Sequence, residues 1–175
     1  MVNKTVNKTV QNVKTKRIKT ERRIFSIILL FYIFGICAGC LFVFGSRENA
    51  EFTNNVFSYN SAKIIIYFIA AFMLKYSGVL SCGICILPTI IGIQNASYYC
   101  STILYSQDKF SYSIVFNILK DTALTMLFIL YILILFTQII NKKYNIKRDV
   151  KYLSVYIIGA NIIIFTDFII RRFIV

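Results

Sequence analysis

Apolar positions in this chain fall in long unbroken runs rather than in alternation, and short polar stretches separate the runs. From Lys63 to Tyr105 there are 43 residues and only two charges, Lys63 and Lys75. As one straight helix the stretch would be about 64 Å long, roughly twice the ~30 Å hydrocarbon core of a bilayer. Two antiparallel arms are therefore predicted, Lys63 to Leu80 and Ser81 to Tyr105. The turn is placed near Lys75-Tyr76-Ser77-Gly78, where a charge, two hydroxyls and a flexible residue coincide. Lys75 is expected to snorkel its ammonium to the interface beside that turn. Pro88 removes a backbone donor and is expected to kink the second arm.

The same pattern places further spans on either side. Ile24 to Gly45 runs 22 residues without a charge, too long for the roughly 7–15-residue apolar region of a signal peptide. Cys37-Ala38-Gly39-Cys40 has the spacing of a lipoprotein cleavage box. Cys37 stands where such boxes usually carry Leu, however, and apolar sequence continues to Phe44, so a retained span is predicted. Ser46 to Ala62 reads as a polar loop with Arg47, Glu48 and Glu51, and Ser106 to Lys109 as a short connection. Phe110 to Asp121 carries Ser113, Asn117, Lys120 and Asp121 on one stripe and Tyr112, Val115, Phe116 and Leu119 on another, the pattern of a segment lying in the interface. Thr122 to Ile140 is the fourth predicted span and Tyr152 to Ile170 the fifth, ending in Arg171-Arg172. The expected fold is all-α, a polytopic membrane bundle of about five transmembrane helices. Residues 24–175 form its single domain, and the basic arm 1–23 is expected to be disordered in isolation. A four-span chain with a re-entrant 63–105 is the alternative.

Charge gives that bundle an orientation. Lys and Arg number 20 against 7 Asp and Glu, a net charge of +13, a balance that often signals nucleic acid. Here the basic residues sit between apolar runs, as in cytoplasmic membrane loops, and nucleic-acid binding is not expected. Residues 1–23, the turn at Lys75 and residues 141–151 together hold 14 Lys and Arg, against five at Arg47, Lys63, Lys109, Arg171 and Arg172, with Lys120 left near the outer interface. An inside N-terminus follows from the positive-inside rule. Mean hydropathy of +0.69 and a charged fraction of 15%, against about 25% in soluble domains, agree with a membrane bundle.

Candidate chemistry is sparse. There is no His, which removes the commonest general base and metal ligand. Two Cys-x-x-Cys pairs, Cys37/Cys40 and Cys82/Cys85, have zinc or redox spacing. They lie in apolar sequence, where cysteine packs as a small hydrophobe. Gly35 and Gly39 form a GxxxG element suited to close helix packing, within the chain or in a homo-oligomer. Gln94, Asn95, Ser97 and Thr102 make the second hairpin arm the most polar span, suited to interhelical hydrogen bonds or to a solute path. Asp167 is an acid inside an apolar run, a candidate site by default. Arg171, four residues on, is its expected partner. No nucleophile–base pair or phosphate-cradling loop is present, so neither catalysis nor a cofactor is expected.

Taken in order, these features resemble the stage II sporulation protein M family. LLFYIFGICAGCLFVF followed by SRENAEFTNNVFSYNS is similar to the family's opening span and acidic outer loop. Lys75, Gly78, Gly83 and Gly92 match its glycine-punctuated centre, and IIIFTDFIIRRFIV its closing helix, with Asp167 where Glu is more usual. Ala96 or Ser97 stands where the family usually has a second glycine. Asn117, Lys120 and Asp121 stand where it often has His, Pro and Glu. The resemblance implies a non-catalytic scaffold in the cell membrane, at the sporulation septum. Such a scaffold holds peptidoglycan-degrading partners during engulfment. A small permease subunit, with Gln94, Asn95 and Asp167 along a path, is the other reading of the residues.

Overall fold

Each apolar run becomes helix, with boundaries moved at several ends. A computed structural model describes the backbone of residues 2–45, 63–105 and 112–174. In chain order these form α1 (Val2–Gly45), α2 (Lys63–Tyr76), a 3₁₀ segment (Gly78–Cys85), α3 (Ile86–Tyr105), α4 (Tyr112–Ile140) and α5 (Ile146–Ile174). Among the described residues there is no strand. Three stretches are long and apolar enough to cross a membrane: Lys19–Gly45, Ile114–Ile140 and Ile146–Ile170. With 14 residues, α2 reaches only about 21 Å. The predicted loop Ser46–Ala62 and the predicted connection Ser106–Lys109 lie outside the described residues.

Three expectations change, and one element is extended. Within the whole chain the arm expected to be disordered in isolation continues the first span as helix from Val2. It contains neither Gly nor Pro, and lengthening a formed helix costs far less than nucleating one. The second hairpin arm is not one helix from Ser81, because its first part is the 3₁₀ segment. Pro88 thus falls in the first turn of α3, where a missing N–H removes no intrahelical bond. The interruption expected at Pro88 lies upstream of it. The segment with the pattern of an interfacial helix is, from Tyr112 on, the start of α4, in register with the predicted fourth span and continuous to Ile140. The last helix begins at Ile146 rather than Tyr152, so Asp149 is helical.

The hairpin turn falls where the sequence put it. Gly78 has φ of +63°, a left-handed conformation that glycine adopts without a Cβ penalty. The Ser77 N–H and hydroxyl both donate to the Leu74 carbonyl, at 3.2 and 2.7 Å. Beyond this turn the chain reverses and α3 packs along α1, while α2 packs against α4 and α5.

An aromatic cluster joins those last three helices. Phe68 meets Phe128 edge-on, with ring centroids 5.2 Å apart at 80°, and also packs on Tyr131 at 5.2 Å. Tyr131 in turn packs on Tyr156 at 5.2 Å. Ile28, Ile64, Ile91, Leu124 and Ile132 are fully buried around it. By contrast Leu30, Phe34 and Leu41 of α1 and Val155, Ile162 and Phe165 of α5 are exposed. Lipid suits such faces. Between helices in lipid, association comes from close packing and hydrogen bonds rather than from a hydrophobic drive. Close packing and polar contacts together therefore decide how these helices are held.

Candidate functional site

The most deeply buried charges lie where the end of α2, the end of α4 and the start of α5 meet. Two local motifs build the place. At the end of α4, Lys142 adopts φ of +50°. Its N–H reaches the Ile139 carbonyl at 3.0 Å, and the Lys143 N–H reaches the Gln138 carbonyl at 2.9 Å. That pair of bonds is a Schellman closure with Lys at the usual glycine position. Two residues later Asn145 caps α5, its Oδ1 accepting from the Arg148 N–H at 3.2 Å. Asp149 follows in the first turn, where a helix favours negative charge.

Lys75 fills the space these motifs create. Its Nζ donates to Gln138 Oε1 and pairs with Asp149 Oδ2. The Tyr76 hydroxyl donates to the same carboxylate oxygen at 2.5 Å. Arg148 Nε stands 3.7 Å from Asp149 Oδ1, and the rings of Tyr76 and Tyr144 lie 5.5 and 6.0 Å from the ammonium. Lys75 is 1% exposed and Asp149 is fully buried. The expectation that Lys75 snorkels outward is therefore wrong. Its stem turns inward because a buried carboxylate, an amide oxygen and two aromatic faces together replace water around the ammonium. Beside Gln138 and Arg148 opens a cavity of about 600 Å³, also walled by Glu21, Thr137 and Tyr152.

A second charged cluster lies at the other end of α4 and α5. Lys120 Nζ is 3.4 Å from Asp167 Oδ2 and 3.9 Å from Asp121 Oδ1, and donates to Asn117 Oδ1 at 3.2 Å. The Tyr99 hydroxyl of α3 donates to Asp121. A partner of Asp167 in the structure is Lys120, across the helix interface; the partner expected from sequence is Arg171. The Arg171 side chain lies outside the described residues. Between the two charged clusters, Asn95 Nδ2 donates to Thr125 Oγ1 at 3.1 Å and to the Tyr32 hydroxyl at 3.4 Å. This ties α1, α3 and α4 together. Gln94 accepts from Tyr67 at 2.8 Å.

The glycines form a separate seam. A Cβ on Gly35 would stand 2.2 Å from the Thr89 carbonyl oxygen, one on Gly39 2.6 Å from that of Ile93, and one on Gly92 2.5 Å from that of Tyr32. Two glycines of α1 and one of α3 thus lie backbone to backbone. Thr89 Oγ1 adds a hydrogen bond to the Phe31 carbonyl at 3.1 Å, and Ser97 one to that of Gly39 at 3.4 Å. The GxxxG element serves packing within the chain. The Cys37/Cys40 spacing does not become a pair, since Cys37 is exposed; the Cys82 side chain lies outside the described residues. Cys40 instead faces Cys100, with 3.3 Å between sulfurs.

Of the residues singled out from sequence, Gly35, Gly39 and Gly92 come together, Asn95 enters the central network and Asp167 joins the second cluster. Lys75, Gln138 and Asp149 were missed as a unit. The one local signal was the Asn145 cap, which places Asp149 in a helix rather than in the basic loop. Among the described residues no group of three or more His, Cys, Asp or Glu stands ready for a metal. No protein-family model, curated protein or solved structure matches the chain.

Proposed function

We propose that this chain is a non-catalytic, five-span membrane scaffold of the kind its sequence resembles, holding peptidoglycan-degrading partners at a sporulation septum. The observation that carries the reading is how the polar side chains are used. Lys75, Gln138 and Asp149, then Lys120 and Asp167, then Asn95 and Thr125, bond helix to helix. Interior polarity serves to fix a shape, which suits a protein acting by presentation. The end carrying Lys75, Lys142, Lys143 and Arg148 faces the cytoplasm in this reading, and α2 and α3 cross as a hairpin. The rival reading, a small permease subunit, draws on the cavity beside Gln138 and Arg148.

Cross-linking in native membranes of the sporulating cell, followed by recovery of the protein and mass spectrometry, separates the two. Cell-wall hydrolases with extracytoplasmic domains are the expected partners. Recovery of a nucleotide-binding ATPase without hydrolases would overturn the scaffold in favour of transport.

A further inference from the structure

We propose that Cys40 and Cys100 are a thiol–disulfide couple that locks α1 to α3. The chain has five cysteines, and the sequence spacing suggests pairs within each apolar run. The fold makes a different pair. Cys40 directly follows Gly39, whose missing side chain lets the α3 backbone approach, and Cys100 lies one turn beyond Ala96, which touches Gly39. The two thiols, both half-buried, are brought to 3.3 Å across 60 residues of chain. A disulfide needs about 2.05 Å between sulfurs, roughly one ångström closer than the thiols stand. The glycine seam beside the pair supplies a close backbone approach at Gly39, and the remaining ångström is the closure that the couple requires.

Position along the helices supports the chemistry. Cys40 is five residues from the end of α1 and Cys100 five from the end of α3, about 7.5 Å along each axis. Both ends lie away from the Lys75 cluster. A disulfide-bearing oxidant, whether a protein or a low-molecular-weight disulfide, therefore meets the pair from that side. One thiolate attacks the oxidant's disulfide and expels a thiolate, leaving a mixed disulfide. The second cysteine thiolate then attacks the protein sulfur of that bond and expels the second thiolate. Two protons and two electrons leave the pair, and one oxidant disulfide becomes two thiols. That this side is an oxidising compartment rests on the orientation proposed above; the couple itself rests on the seam.

The test equilibrates full-length protein in its membranes with oxidised and reduced glutathione in varying ratio. Samples are acid-quenched, unfolded in detergent and labelled with a mass-adding maleimide. Toward the oxidising end, labels should fall from five to three together, in wild type and likewise, from four to two, in Cys37→Ser. Cys40→Ser and Cys100→Ser should each keep all four labels. Five labels at the most oxidising ratio would overturn the couple, as would a protected pair surviving in Cys40→Ser. Membranes quenched directly from cells report the side. A protected pair supports the proposed orientation. A free pair that oxidises readily in glutathione keeps the couple and sinks that orientation.

Discussion

At the scale of single residues, Lys75 carries its charge where an unpaired ammonium is costly, and Asp149, Gln138 and Tyr76 offset that cost. Removing one member of a buried pair strands the other, typically at about 3–5 kcal/mol, whereas replacing both by apolar groups is often close to neutral. Lys75→Met and Asp149→Leu alone should each lower the thermal aggregation midpoint of the membrane-extracted protein by many degrees. The double variant should regain most of the loss. A double variant as damaged as the two losses summed would show that they do not act as a pair. Nothing near Lys75 in the chain announces this partnership. It is followed by Tyr-Ser-Gly, turn chemistry that points toward the interface, and Asp149 sits among five Lys and Arg. Sequence pattern weighs each charge against its neighbours, and the bond spans 74 residues.

At the scale of elements, the α1–α3 seam was half legible. A GxxxG spacing is local and names the face that packs, so Gly35 and Gly39 could be read; that α3 answers through Gly92 is a property of the fold. The seam tolerates no side chain at its centre, since a Cβ on Gly35 would collide with main-chain atoms of Thr89. Gly35→Ala should reduce membrane accumulation several-fold, and Gly35→Leu with Gly39→Leu should abolish it. Gly45, with open space around its Cβ position, gives the contrast: Gly45→Ala should accumulate as wild type. Equal levels for Gly35→Ala and Gly45→Ala would remove the seam from the account. Local spacing also shows only part of the surroundings here. One turn beyond Asp167 it offers Arg171, whereas Lys120 on the antiparallel neighbour, 47 residues away in the chain, lies 3.4 Å from Asp167.

At the scale of the whole molecule, an odd number of crossings puts the two chain ends on opposite sides. Reporters active on one side only, fused in turn to the N- and C-termini, should read inside and outside respectively. Both ends inside would mean an even count, with the α2–α3 hairpin re-entering on one side. The two charged clusters carry a further consequence. Asp149 and Asp167 are eighteen residues apart on α5, and so are Lys120 and Gln138 on α4. Eighteen residues make about five full turns and about 27 Å, so each helix is fastened to its neighbours along one face at two points a hydrocarbon thickness apart. The fastenings act as a calliper. In a bilayer much thicker or thinner than that gap, the clusters and the lipid headgroups fall out of level, at a modest cost for each ångström of mismatch. The protein thereby favours membrane whose thickness agrees with its own spacing.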